Sequence, residues 1–383
     1  MTGRCARGIE TIRVVSVAAL GMVVLAIIVS APWGASAADA ELNLRRCIVD
    51  APARHLDVAI EACTVLVESG AHSPNETAQF YLYRGLANER TGALDRAMAD
   101  FHSAIEINPR FPEALIARGS THATKAALDR AIADFDQALR FISESAKPDS
   151  LRAISYGMRG TIYELKGDYD RAIADLIRAT EGNSPNPVFL VGLGLALGKQ
   201  GRLEQAIPHF DRAIQINPKF TLAYIHRAEF YFALDANPAR AFADLDRAIR
   251  IDSKDAAAYL ARGALYLQLG DTRRAKKDQK RARRLEPSAV DPLILGANIA
   301  SHVEDYREAI EQLNEAILLA PEDAAIHFER ALAYLRYDDY EGGVVALTQA
   351  YRLDPTLEAS GAQLVEPLLE KAKNFGKPKL GRD

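Results

Sequence analysis

The amino-acid sequence predicts an all-helical protein, an α superhelical solenoid of about nine stacked helical hairpins closed by a C-terminal capping helix. Three observations carry this prediction. One phrase returns at a fixed period, small and apolar residues recur within each period at helix-face spacing, and glycine and proline fall where hairpins would turn and end. Composition agrees: 383 residues that are 49% hydrophobic, 26% charged and only 7% aromatic favour helices packed through small side chains over strands. The formal net charge of -4 gives no whole-chain attraction for phosphate, so no nucleic acid is expected as a partner.

Residues 1–37 read as a signal peptide. Arg4, Arg7 and Arg13 precede an uncharged apolar run over 14–32, and Ala35-Ser36-Ala37 ends it in small residues. Cleavage after Ala37 is expected, which makes the protein periplasmic or secreted. The alternative is an uncleaved anchor, because a stretch of about 20 apolar residues crosses a bilayer. Only in that case is a membrane partner expected, with the protein anchored and facing outside the cytoplasm. Cys5 precedes the apolar run and no cysteine follows it at its small-residue end, which argues against a lipid anchor.

The repeat emerges from self-comparison. Asp95-Arg96-Ala97-Met98-Ala99-Asp100-Phe101 returns 34 residues later as Asp129-Arg130-Ala131-Ile132-Ala133-Asp134-Phe135. With its first alanine as a marker, equivalents fall at Ala59, Ala97, Ala131, Ala172, Ala206, Ala241, Ala275, Ala309 and Gly343. Five of the eight intervals are 34; the others, 38, 41 and 35, place insertions before Ala97, Ala172 and Ala241.

Each unit then justifies its elements in turn. Twelve residues before the marker stands a small residue, as in Gly85, Gly119, Gly160, Gly194 and Gly263, where two helices must approach closely. Four after it comes a large apolar residue (Phe101, Phe135, Leu176, Phe210, Leu245, Leu313, Leu347), and seven after it an alanine (Ala104, Ala138, Ala179, Ala213). Spacings of four and seven line one helix face. Gly92, Gly167, Gly201 and Gly270, five before the marker, suit a left-handed residue between paired helices. Pro109, Pro218, Pro287, Pro321 and Pro355, twelve after it, end the second helix. Residues 356–374 read as a capping helix, with Leu357, Leu364, Leu368 and Leu369 on its apolar side, and 375–383 as a flexible tail.

This pattern resembles the tetratricopeptide repeat family, a 34-residue helix-turn-helix unit, over residues 40–355, with the first unit degenerate. The resemblance implies a non-catalytic scaffold or adaptor for protein–protein interaction, with first helices lining a concave groove that holds a protein or peptide partner. Carried onto this sequence, the groove positions are Leu82, Leu86, Ile116, Val188, Val191, Leu195, Ile225, Leu260, Ile294, Phe328 and Leu332, an apolar set suited to an extended or helical apolar segment. Packing between neighbouring helices is the alternative reading of any one of them. Family members that clamp a C-terminal carboxylate use Lys and Asn there; Leu82, Leu86, Ile116 and Ser120 exclude that clamp.

Other features have both a structural and a functional reading. Arg84, Arg118, Arg159, Arg227, Arg262 and Arg330 recur at one register position, and Asp100, Asp134, Asp175, Asp244 and Asp278 recur in the second helices. Where Leu193 and Gly296 replace the Arg, His209 and Gln312 replace the Asp, so these are expected to be Arg–Asp ties within hairpins rather than a ladder of anion sites. The unit of Arg330, with Ala346, breaks the rule. Gly192-Leu193-Gly194 through Gly198-Lys199-Gln200 imitates a phosphate loop with the wrong spacing.

Arg273, Arg274, Lys276, Lys277, Lys280, Arg281, Arg283 and Arg284 make one second helix strongly basic. It reads as a solvated face answered by Glu308, Glu311 and Glu315, or, in an alternative function, as the contact of a membrane-anchored accessory subunit with anionic lipid or glycan. No aromatic residue interleaves the run, so a stacking platform for single strands is not expected. Cys47 and Cys63 fall at interface positions of the first unit, and a disulfide closing a loop of about 15 residues is expected, worth about 3 kcal/mol in the chain-entropy model; two packed thiols are the alternative in a reducing compartment. Neither a metal nor a cofactor is expected. The eight histidines form no metal-ligand or triad pattern, so no enzyme activity is expected. Asn75-Glu76-Thr77 matches a glycosylation acceptor relevant only to a eukaryotic secretory route.

Overall fold

The structure is a computed structural model that describes residues 38–48, 56–144, 149–181, 185–235 and 238–357. The segment read as a signal peptide, most of the segment read as a capping helix, and the tail lie outside the described residues. Among the described residues there are 18 helices and no strand. They fall into two compact units, divided after Pro218.

The N-terminal unit contains five hairpins. They pair α1 (Ala38–Ile48) with α2 (Leu56–Ser69), α3 (Pro74–Arg90) with α4 (Leu94–Ile107), α5 (Pro112–Thr124) with α6 (Leu128–Ser143), α7 (Asp149–Leu165) with α8 (Tyr169–Thr180), and α9 (Pro187–Lys199) with α10 (Leu203–Ile216). The C-terminal unit contains four: α11 (Thr221–Asp235) with α12 (Pro238–Ile251), α13 (Ala256–Gln268) with α14 (Thr272–Leu285), α15 (Asp291–His302) with α16 (Tyr306–Leu319), and α17 (Ala324–Arg336) with α18 (Tyr340–Leu353). Within each unit a second helix packs on the first helix of the next hairpin, and successive first helices, such as α3, α5, α7 and α9 or α11, α13 and α15, lie side by side.

The repeat residues form the core as their spacing predicts. Every marker alanine is fully buried, and so are Phe101, Phe135, Leu176 and Phe210 four residues on. The small residue twelve before the marker receives that large side chain: a Cβ on Gly85 would lie 2.5 Å from Phe101, and one on Gly194 would lie 2.6 Å from Phe210. A close approach of this kind admits no side chain, because an atom pair nearer than van der Waals contact is repulsive. In α14 the large residue is replaced by Gln279, which is buried and donates from Nε2 to the carbonyl of Pro292 at 2.8 Å, so the polar core group is satisfied.

The punctuation also falls where the sequence places it. Gly92, Gly167, Gly201 and Gly270 have φ between 76° and 80°. In three hairpins the same left-handed position is taken by Ala126, Glu304 and Asp338, at φ of 57°, 63° and 65°. Five second helices end two residues before Pro109, Pro218, Pro287, Pro321 and Pro355. Asp168, Asp271, Asp305 and Asp339 cap the starts of second helices, each accepting from a backbone N–H three residues on, at 2.9–3.1 Å. Ser73 and Glu76 form a reciprocal capping box at the start of α3.

Candidate functional site

The arginine register fixes the helices that carry the site. Arg118 donates from Nε and Nη2 to the two oxygens of Asp134 at 3.0 and 2.7 Å, and Arg159, Arg227 and Arg262 make the same two-pronged bond to Asp175, Asp244 and Asp278. Arg84 grips Asp100 likewise. A third contact was not read from the sequence. The remaining Nη1 reaches back to the second helix of the preceding hairpin: to Thr64 Oγ1 from Arg84 at 3.2 Å, to Asp246 from Arg262 at 2.6 Å, and to Asp136 from Arg159. Arg84, Arg159 and Arg262 therefore each tie their own hairpin shut and fasten it to the one before. The signal was present in the numbering, because Asp246 lies sixteen residues before Arg262 and Asp278 sixteen after it.

The hairpins that lack the pair follow the expected exchange. Gln312 meets Arg283 at 3.4 Å in the Gly296 hairpin, and His209 takes the acid's place in the Leu193 hairpin, where burial and the nearby Arg212 lower its pKa. Arg330, facing Ala346, keeps the backward bond to Asn314 at 2.9 Å and meets His327 Nδ1 on its own helix at 3.5 Å, and its Nε is buried without a hydrogen-bond partner.

The groove positions divide into two classes. Leu82, Leu86, Ile116, Val191, Ile225, Phe328 and Leu332 are all under 7% exposed, packed between helices, and are not open to a ligand. The helix-packing alternative holds for these seven. Val188, Leu195, Leu260 and Ile294 are half-buried, and of these Leu260 and Ile294 also pack against core clusters. The physical reason is packing: the seven fill space between adjacent helices, where an apolar side chain is withdrawn from water. On α9, Val188 and Leu195 are two turns apart on one side of the helix, with Gly192 between them. A Cβ on Gly192 would sit 3.6 Å from Leu176, an ordinary contact, so packing alone does not demand glycine there.

Beside these apolar residues the face is polar. Glu89 on α3 accepts from Thr121 Oγ1 on α5 at 2.8 Å, and burial raises its pKa despite that bond. Tyr83 is also raised, first by burial and then by the charge of Glu113. Ser120, named above for the absent carboxylate clamp, is buried with its Oγ unbonded. The first-helix face of the N-terminal unit thus runs from a carboxylate-rich part at α3 and α5 to an apolar part at α9.

The imitation phosphate loop lies within α9 and its cap, where a helix replaces the loop that a phosphate would need. Cys47 and Cys63 are joined by a disulfide, both fully buried, between α1 and α2. Asn75 lies in the first turn of α3 and accepts from Asn108 Nδ2 at 3.4 Å. Among the described residues no group of three or more His, Cys, Asp or Glu could hold a metal ion, and no helix is long and apolar enough to cross a membrane.

The fold and face define a repeat protein built from stacked helical hairpins, whose chemistry is that of surfaces. Five of its hairpins match family models described as "Tetratricopeptide repeat", over residues 153–183, 187–220, 256–288 and 296–358. Among solved structures, a tetratricopeptide repeat protein from Parabacteroides merdae ATCC 43184 is similar at 21% identity and a TM-score of 0.54, over 68% of this chain and 98% of that one. YrrB, whose structure is described as that of a TPR protein with an unusual peptide-binding site, is similar at 24% identity over 53% of this chain and 99% of its own, with a TM-score of 0.40. Yeast Tom70 is similar at 18% identity over 83% of this chain and 77% of its own, with a TM-score of 0.44. At these identities the likeness bears on the fold alone. A comparison with curated proteins gives no match.

Proposed function

We propose that this chain is a non-catalytic scaffold that holds a partner polypeptide against its first-helix face, in the cell envelope or outside the cell. A tetratricopeptide-repeat array is a protein-interaction scaffold, so a protein or peptide partner follows from the fold. The observation that carries the finer reading is the half-buried pair Val188 and Leu195, aligned on α9 across Gly192. Two branched side chains flanking a glycine, whose nearest side chain is Leu176, would form a shallow apolar notch, which loses hydration when an apolar side chain fills it. The carboxylate-rich part at Glu89 and Glu113 would favour a partner with basic groups to one side of its apolar anchor.

The location rests on two features of the chain. Its first residues have the charge and hydropathy of an export signal, and its Cys47–Cys63 pair is a disulfide, a bond that persists in oxidising compartments. The test is co-purification from the native cell with Val188→Asp and Leu195→Asp together, alongside N-terminal sequencing of the recovered protein. Loss of the partner and a mature start at Ala38 are expected. Undiminished recovery of the same partner, with the variant folded by circular dichroism, would refute the α9 notch. Retention of the apolar run would refute release from the membrane.

A further inference from the structure

The basic helix α14 is divided by the fold into faces with different employment. Ala275, Asp278, Gln279 and Ala282 are buried. Lys276 and Arg283, seven residues apart, pair with Glu308 and Glu315, also seven apart, on the neighbouring α16, the first at 2.9 Å. Arg274 bonds to Asp271 and lies over Tyr266, and Arg281 donates to the carbonyl of Ser253. Arg273, Lys277, Lys280 and Arg284 remain. All four are exposed, and none makes an ion pair among the described residues. Their spacing of four, three and four residues places them in one row along the outer side of the helix, about 16 Å long.

The repeat supplies its own comparison. In three hairpins of the N-terminal unit the position of Arg273 holds Asp95, Asp129 or Asp170, and each is tied to the next hairpin by Lys125, Lys166 or Gln200. In α14 the acid has become Arg273 and the place of the tying residue is taken by Val303, 54% exposed. A position that elsewhere joins neighbouring hairpins has here become the first member of an unanswered cationic row. The equivalent outer positions on either side are Ala239, Ala243, Asp246 and Arg250 on α12 and Arg307, Glu311, Asn314 and Leu318 on α16; Asp246 and Arg307 are paired with Arg262 and Glu311, so apart from Arg250 the unanswered cations form a line and not a sheet.

A line of charge on a helix selects among anions. A bilayer presents a plane, most of which would meet uncharged or internally paired positions beside the row, such as Ala239, Ala243 and the Arg307–Glu311 pair, while single-stranded nucleic acid would need stacking residues that the row lacks. A second helix bearing acids at the same spacing matches all four positions. The chain displays this chemistry already, since Lys276 and Arg283 meet Glu308 and Glu315 helix to helix. We propose that the row Arg273, Lys277, Lys280 and Arg284 docks an acidic helical segment of a partner polypeptide, carrying Asp or Glu at i, i+4, i+7 and i+11. This surface is separate from the first-helix face and extends the scaffold reading without depending on the notch at α9.

The test uses the full chain and a fluorescent alanine-rich helical peptide with Glu at those four positions, against an isomer whose glutamates are scattered round the helix. Anisotropy at low salt should show the ordered peptide binding more tightly. Replacing all four cations with Gln should weaken binding about tenfold or more, whereas Lys276→Gln with Arg283→Gln should change it less than about twofold. Added salt should weaken it further. Equal binding of the isomer, equal loss in both variants, or no binding would overturn the proposal. So would tighter binding to phosphatidylglycerol vesicles or to polyuridylate, which would assign the row to lipid or to nucleic acid.

Discussion

Arg262 donates to both oxygens of Asp278, from Nε at 2.7 Å and from Nη2 at 2.9 Å, and through its third nitrogen holds Asp246 on the hairpin before. Asp278 is 3% exposed, so its charge depends on this one guanidinium for compensation. Truncating the arginine strands a buried carboxylate. Arg262→Ala should cost about 3 kcal/mol, while Arg262→Met with Asp278→Leu should recover most of the loss, because removing both charges removes the desolvation penalty as well. Urea unfolding followed by circular dichroism reads both; a double variant no more stable than the single one would show that the pair adds stability beyond mutual compensation.

Arg330 offers the converse experiment. Its Nε is buried without a partner, and Ala346, 1% exposed, stands where five other hairpins carry an Asp. Ala346→Asp should restore the two-pronged bond and raise the unfolding midpoint, by about 1 kcal/mol, since an unsatisfied buried donor is the costlier state. Ala346→Leu, which fills the same space without charge, should lower it.

The turn between paired helices is left-handed whether or not glycine is present. Ala126 holds φ at 57°, a conformation that costs an L-residue about 1–2 kcal/mol. Ala126→Gly should stabilise the protein by about 0.5–1 kcal/mol and Gly92→Ala should destabilise it by about 1 kcal/mol. No atom lies within 4 Å of a Cβ at Gly92, so the second effect would report the backbone alone.

Removing the Cys47–Cys63 bond by a double Ser substitution should release about 3 kcal/mol of chain-entropy stabilisation. The loss should be local. Hydrogen exchange should quicken in α1 and α2 and stay unchanged in the C-terminal unit, because repeat arrays open in segments rather than all at once.

Glu89 gives a pH dependence with a definite sign. Burial raises its folded pKa above the ordinary 4.5, so the folded state holds the proton more tightly than the unfolded one. Its contribution to stability is therefore present in full below the unfolded value and is lost as pH rises through the folded value. Glu89→Gln should leave stability unchanged at about pH 3.5 and raise it progressively toward pH 7. A stability gain that is the same at every pH would refute burial as the cause.

The sequence alone determined the hairpins. A marker alanine, an aromatic four residues on, a glycine twelve before and a proline twelve after can satisfy packing only in paired helices, so Ala97, Phe101, Gly85 and Pro109 specify their unit without knowledge of any other. The Arg–Asp pairing was legible as well, because Leu193 with His209 and Gly296 with Gln312 changed together within one chain. Tertiary structure decided what each hairpin exposes to its neighbours. Leu82 and Leu260 are the same side chain at the same place in their repeats, fifteen residues before the marker, yet one is core and the other half-open, since exposure depends on what the neighbouring helices cover and not on the residue itself. The backward grip of Arg262 on Asp246, and the division of α14 into cations that are answered and cations that are not, are likewise relations between hairpins. A repeat records its own fold in its spacing, but the free surface is what remains after the neighbours have packed, and that is a property of the stack.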